Sequence, residues 1–165
     1  GPGGTSYRIE NAGSATSKGF ELESMYRVTP DLTFRASFGY TQAKYDEYRP
    51  STAIDYSGKW VIDSPRYTAR LEGTYRFFEH LLVSASFSRH GKTYFEPTNS
   101  VYQSGFNIVD LKVGYESERF EVHLWGKNLL NEDYVTRVVH PAGSTSYYGR
   151  PGEPLSVGIN FGFSF

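Results

Sequence analysis

The last eleven residues, Leu155 to Phe165, run Leu-Ser-Val-Gly-Ile-Asn-Phe-Gly-Phe-Ser-Phe. Every second side chain is apolar, and Ser, Gly or Asn stands between. Successive side chains of a strand point to opposite faces, so this segment has one wholly apolar face and one small, polar face. Phe161, Phe163 and Phe165 extend the apolar face to the last residue, an ending ill suited to water. It suits a strand whose apolar face meets lipid and whose backbone groups must all be paired laterally, because lipid offers no partners.

Composition is compatible with that reading and removes several others. Fourteen Tyr and twelve Phe bring the aromatic fraction to 17%; both residues favour strands, and Tyr suits a membrane–water boundary. The mean hydropathy of -0.50 does not argue against a barrel, whose alternating faces average apolar against polar. No apolar run reaches the length of about 18 residues that a transmembrane helix needs. A net charge of -1, with both signs interspersed, gives no electrostatic case for nucleic acid. The chain has no cysteine, hence no disulfide framework. Nucleophile motifs, phosphate-cradling glycine loops and sequence-adjacent carboxylate pairs are all missing, so nothing points to an enzyme. His80, His90, His123 and His140 lack tight ligand spacing, and neither a metal nor a cofactor is expected. Gly1-Pro2-Gly3-Gly4 reads as a cleavage scar and linker, which leaves residues 5–165 as one unit in a mature or engineered form.

The two-residue period predicts eight strands: Thr5–Asn11, Lys18–Val28, Leu32–Thr41, Arg66–Phe77, His80–His90, Asn107–Tyr115, Phe120–Asn128 and Leu155–Phe165. No segment carries a helical period. Short turns at Thr29-Pro30-Asp31, Phe78-Glu79 and Glu116–Arg119 alternate with long connections at Ala43–Ser64, Gly91–Phe106 and Leu129–Pro154. Outer-membrane barrels pair short periplasmic turns with long extracellular loops. The polar face carries rows of both signs (Arg66, Arg70, Glu72, Arg76; Glu21, Glu23, Arg27) able to pair in a lumen. The apolar face sets Tyr26, Tyr40, Tyr75 and Tyr115 towards strand ends, where an aromatic girdle lies in a membrane barrel. The fold expected is all-β: an antiparallel transmembrane β-barrel segment of eight strands.

Four segments resemble one known family. Asn11-Ala-Gly-Ser-Ala-Thr-Ser-Lys-Gly19-Phe20-Glu21 is similar to the "N-x-G-x-A-x-x-x-G-x-E" segment of TonB-dependent outer-membrane receptors. Asp63-Ser64-Pro65-Arg66-Tyr67 resembles the proline-containing start of a late strand. Asn128-Leu129-Leu130-Asn131-Glu132-Asp133-Tyr134 resembles the family's "N-L-F/L-[ND]-x-x-Y" signature, and Gly149-Arg150-Pro151-Gly152 its closing segment. The resemblance implies a barrel of about 22 strands with an N-terminal plug. Such receptors import ferric siderophores, haem, cobalamin or other scarce nutrients across the bacterial outer membrane, driven by TonB. On this reading the chain is the C-terminal barrel part, without plug, TonB box or earlier strands. Its parent is expected to take up a nutrient chelate, a ferric siderophore.

Several points stay open at this level. Eight strands can close alone, pair as a homodimer, or leave an open edge held by the assembly machinery. A self-contained eight-stranded outer-membrane barrel with a structural, adhesive or assembly-substrate role is the alternative; a soluble lipid- or pigment-binding barrel ranks lower. Phe161, Phe163 and Phe165 resemble the signal that the assembly machinery reads in a last strand, although Asn160 stands where glycine is usual. Asparagines of the 128–134 segment are expected to satisfy backbone groups where a strand leaves the sheet. Ligand contact is expected on the long loops, where Trp60, Tyr94, Tyr102, Tyr147, Tyr148 and Arg150 combine aromatic surface with a cation, suited to a flat anionic or catecholate-like ligand. The membrane reading predicts that the chain folds only with detergent or lipid and that its gel migration shifts on heating. A monomer that stays folded in plain buffer would overturn it.

Overall fold

The computed structural model describes residues 13–141 and 145–164. The predicted first strand Thr5–Asn11, the linker residues 1–4 and Phe165 lie outside them. Eleven strands follow one another: β1 (Ser14–Arg27), β2 (Leu32–Glu47), β3 (Tyr67–Phe77), β4 (Leu81–His90), β5 (Thr93–Tyr94), β6 (Tyr102–Gln103), β7 (Phe106–Glu116), β8 (Phe120–Lys127), β9 (Val135–Val139), β10 (Tyr148–Pro151) and β11 (Ser156–Phe163). Seven form one sheet in the order β1-β2-β3-β4-β7-β8-β11, and β5–β6 and β9–β10 make two separate hairpins. Every pairing is antiparallel. The described residues contain no helix. The sheet is open, with β1 and β11 at its edges, so the expected eight-stranded segment stands as seven sheet strands among the described residues.

Register keeps each face continuous across the sheet. Leu22 stands opposite Phe38, Phe38 opposite Ala69, Leu71 opposite Phe87, Phe87 opposite Val109, Val113 opposite Leu124, and Leu124 opposite Ile159. Directly opposed residues share a face, so the apolar rows make one surface. That surface is uncovered: Leu22 is 63% exposed, Phe161 69% and Val157 75%. So large an apolar area has no soluble counterpart in a monomer. Tyr26, Tyr75 and Tyr115 lie on it near the short turns, and Tyr40 faces Tyr67 near the long loops.

The opposite, inner face holds the ion pairs. Arg70 Nη2 reaches Glu72 at 2.9 Å and Arg70 Nη1 reaches Asp110 at 3.9 Å, while Arg35 approaches Glu72 at 3.5 Å. Arg76 and His123 both meet Glu116 at 3.0 Å. Glu21, Glu23 and Arg27, on the edge strand β1, make no ion pair among the described residues. Glycine allows rings to lie flat on this face. A Cβ at Gly158 would overlap the Trp125 indole opposite it, and one at Gly114 would overlap the His123 ring.

Two departures from the sequence pattern have one physical origin. β2 runs to Glu47, beyond the predicted end at Thr41. Its last turns invert the pattern: Ala43 and Tyr45 are buried on the inner side, whereas Gln42, Asp46 and Glu47 are exposed. Beyond the apolar belt the inner face packs under loops and the outer face is wet. Arg66, expected in the inner row, instead lies over the Trp60 ring at 4.3 Å. Val61 N donates to Ala43 O and Thr41 N donates to Arg66 O, so residues 62–65 all stand against Gln42. This bulge resets the alternation.

The β5–β6 and β9–β10 hairpins meet through Glu96. Thr98 Oγ1 donates to its Oε1 at 2.6 Å, Ser100 Oγ donates to the same oxygen, and Tyr147 Oη donates to Oε2 at 3.0 Å. The His140 ring stacks on Tyr147 at 4.5 Å. Burial alone raises the Glu96 carboxyl, but the hydroxyls of Ser100, Thr98 and Tyr147, with His140 nearby, outweigh it and hold it below the ordinary value of 4.5. A depressed native pKa contributes stability above the unfolded value, and that contribution is lost as pH falls through the native value. The difference in thermal midpoint between wild type and Glu96→Gln should therefore be largest above the ordinary carboxylate range and shrink on acidification. A pH-independent difference would contradict this.

The two faces of the sheet differ in what they tolerate. Leu111→Arg places a cation mid-strand on the apolar surface and should cost about 2–4 kcal/mol for the chain folded in lipid vesicles. Lys112→Leu, on the inner face, should shift stability by less than about 1 kcal/mol. Urea unfolding reads both, and equal effects would refute the inside-out assignment.

Candidate functional site

The long connections gather at one end of the sheet, where side chains stand in for strand partners. Asn99, in the left-handed region at φ 62, accepts from Trp60 N at 2.7 Å and donates to Trp60 O at 3.0 Å. Its amide thus mimics a strand neighbour and ties the β2–β3 connection to the β5–β6 hairpin. Gln103 Oε1 accepts from Val135 N at 2.9 Å, joining β6 to β9. Asn128 carries the largest such load. Only 2% exposed, it donates to the carbonyls of Glu132 and Glu153 at 3.0 and 2.9 Å and accepts from Glu132 N at 2.9 Å. Asn131 Oδ1 accepts from Leu155 N at 3.1 Å. The expected structural role of these asparagines is borne out.

Beneath the loops these ties leave a cavity of about 500 Å³ whose lining includes Asp63, Pro65, His90, Phe106, Tyr134 and Arg137. Its aromatic wall is a stack of three rings: His90 on Phe106 at 4.8 Å and Phe106 on Tyr134 at 4.3 Å, inclined by 11° and 15°. Asp63 and Arg137 supply one charge of each sign. Burial pushes the Asp63 carboxyl up, and the Arg137 charge opposes the shift. The volume lies within the usual range for small-ligand pockets, and a flat apolar wall beside a few charged groups is the usual composition of one.

The sequence-predicted site residues divide between places. Tyr94 and Tyr102 form an edge-to-face pair at 6.0 Å, with Lys92 Nζ 5.7 and 4.1 Å from their rings. Trp60 is half-buried, flanked by Arg66 at 4.3 Å and Lys44 at 5.2 Å. Tyr147 is engaged with Glu96 and His140. Tyr148 and Arg150 stand exposed on β10, opposite Val139 and Arg137. None of the six lines the ring-walled cavity. The residues that do were visible only as parts of motifs: Asp63 and Pro65 in the Asp-Ser-Pro-Arg-Tyr segment, Tyr134 at the end of Asn128–Tyr134. A ring stack assembled from the end of β4, the start of β7 and the β8–β9 connection leaves no spacing signal. The same holds for Glu116, Glu121 and His123 at the short-turn end, whose ligand atoms lie within 4.8 Å of one another; Glu116 there is already engaged with Arg76 and His123.

Comparison with known proteins agrees with this architecture. Residues 1–129 match the family model described as TonB dependent receptor-like, beta-barrel. The ferrichrome outer membrane transporter/phage receptor of Escherichia coli K12 is 26% identical over 151 residues, 86% of this chain and 19% of that protein. Among solved structures, the ferric yersiniabactin uptake receptor FyuA of Yersinia pestis superposes with a TM-score of 0.79 at 24% identity, over 92% of this chain and 24% of that one. The siderophore receptor PiuA of Acinetobacter baumannii gives a TM-score of 0.74 at 20% identity, over 89% and 21%. The chain thus spans about a fifth to a quarter of the relatives it matches. A continuous apolar belt, an ion-paired inner face and a match over most of its length place this chain in the bacterial outer membrane, as a member of the TonB-dependent receptor β-barrel family.

Proposed function

We propose that this chain is the C-terminal part of the barrel of a receptor that imports a ferric siderophore, and that the ring-walled cavity contributes to its outer binding site. The observation that carries the reading is the cavity at the loop end of a sheet belonging to this receptor family. The relatives' names support the substrate class: a ferrichrome transporter, a ferric yersiniabactin uptake receptor and a siderophore receptor. In this reading the long-loop end is extracellular and the short turns are periplasmic, TonB drives release in the complete receptor, and no chemical step is catalysed. Phe106 and Tyr134 offer flat faces to a planar chelating group, Arg137 attracts the negative charge of a ferric chelate, and Asp63 accepts from its hydroxyl or amide donors.

The assembly machinery is a second proposed partner. Phe161 and Phe163 lie on the apolar face of β11, opposite Val122 and Phe120, where a reader of the last strand would meet them. A self-contained barrel is the less supported alternative, because among the described residues β1 and β11 both present free edges.

Quenching of tryptophan fluorescence tests the substrate class. The micelle-folded chain, titrated with ferric hydroxamate, ferric catecholate and iron-free chelators, should bind one ferric class preferentially. Arg137→Ala should weaken that binding about ten-fold or more without altering heat-modifiable migration. Equal quenching by iron-free and ferric forms, or no effect of Arg137→Ala, would overturn the cavity's role.

A further inference from the structure

The β7–β8 hairpin gathers three metal-ligating side chains on its inner face. Alternation puts Glu121 and His123 on one side of β8, and register sets Glu116, the last residue of β7, directly opposite Glu121. One ligand atom from each, two carboxylate oxygens and a ring nitrogen, lies within 4.8 Å of the other two. Along the chain the set reads Glu-x-x-x-x-Glu-x-His, which has no tight ligand spacing. Only the turn of the hairpin brings it together.

The surroundings shape this cluster for a cation. Each ligand of β8 faces a glycine on a flanking strand: Gly114 of β7 stands opposite His123, and Gly162 of β11 opposite Glu121. A Cβ at Gly114 would fall within the imidazole, and one at Gly162 would come within 2.8 Å of Cγ and Oε1 of Glu121. The two glycines make a cradle in which the ring and the carboxylate lie against the backbone. Arg76 Nη1 and Nη2 both donate to Glu116 Oε2 at 3.0 Å. That contact fixes the carboxylate and leaves Oε1 turned to His123 Nε2, 3.0 Å away. Like charges directly opposite one another destabilise a ladder. Arg76 offsets one of the two carboxylates, whereas Glu121 makes no ion pair among the described residues. His80, at the same end, takes no part: its ring lies against Tyr115 of the outer face.

An imidazole nitrogen with two carboxylate oxygens is a donor set for zinc, whereas magnesium and calcium take oxygen ligands. We propose that Glu116, Glu121 and His123 bind one zinc ion, with water as the fourth ligand and Arg76 orienting the Glu116 carboxylate. Zinc bonds of about 2.0–2.2 Å set tetrahedral donors about 3.4 Å apart. The His123–Glu116 pair stands close to that separation, and the exposed Glu121 side chain closes the rest by turning its carboxylate. The metal replaces the hydrogen bond between His123 and Glu116 and clips β8 to β7 beside β11. This site needs neither siderophore binding nor a particular orientation of the sheet in the membrane.

The test is a calorimetric titration of the full chain, folded in neutral detergent and stripped of metal by a chelator. The probes are zinc chloride and, for comparison, calcium and magnesium chlorides. Wild type should bind one zinc ion per chain, about a hundred-fold or more tightly than calcium or magnesium. His123→Gln and Glu121→Gln should each weaken zinc binding about ten-fold or more, since even a group that only orients a ligand is worth about 10–100-fold in affinity. His140→Gln, at the loop end, should leave zinc binding unchanged. Glu121 is exposed, so Glu121→Gln reads the site even should His123→Gln misfold. Absence of zinc binding in the wild type, an affinity untouched by Glu121→Gln, or calcium bound as tightly as zinc overturns the proposal. A loss in His140→Gln as large as that in His123→Gln also overturns it, by placing the metal elsewhere.

Discussion

Lateral pairing of backbone groups is the constraint on which this structure depends. Lipid supplies neither donors nor acceptors, so every N–H and C=O within the belt must find a partner in a neighbouring strand. That requirement explains the uninterrupted ladders from β1 to β11. It also explains why polarity is sorted by face and not by depth. Once the ladder fixes register, a period of two sends each residue to lipid or to the interior. The apolar belt and the inner network of Arg35, Arg70, Glu72 and Asp110 are two consequences of one alternation.

Where the lipid ends, the same alternation changes meaning. In β2 the inner positions become apolar at Ala43 and Tyr45, because loops cover them, while the outer positions become polar. Between β2 and β3 the ladder absorbs a bulge at residues 62–65. Arg66 is thereby turned onto Trp60, and Asp63 takes a left-handed backbone, φ 55, at the wall of the cavity. An extra stretch that lipid would not tolerate becomes useful just beyond it. Backbone groups freed there are taken up by side chains, Asn99 for Trp60 and Asn128 for Glu132 and Glu153. Loops pinned in this way can hold rings in a fixed stack.

This division decides how much of the molecule was legible from residues alone. Strands inside the belt were readable because their pattern is imposed by two uniform solvents, lipid outside and the polar interior within. β3 begins and ends within a residue of its predicted limits, and the face of each belt residue follows. Beyond the belt there is no uniform solvent to sort against. The extension of β2 to Glu47 was hidden by the inverted pattern, and the two hairpins by strands too short to show a period. The cavity was hidden for a further reason: His90, Phe106 and Tyr134 come from separate segments, and only the folded sheet brings their rings within 4.8 Å. Trp60, Tyr94 and Tyr102 were singled out for their chemistry, yet they pack against Arg66, Lys44 and Lys92 outside that cavity.

The free edges of the sheet follow from the opening constraint. β1 extends over 14 residues, and about half of an edge strand's backbone groups point away from its one neighbour. Each such group left unpaired in hydrocarbon costs several kcal/mol, so an uncovered β1 would cost some tens. Net folding stability is only about 5–15 kcal/mol, and no arrangement of side chains closes a gap of that size. Lys18, Glu21 and Glu23 along β1 cannot serve as pairing groups for a backbone that runs through the belt. In the membrane both edges of the described sheet therefore need a lateral pairing partner.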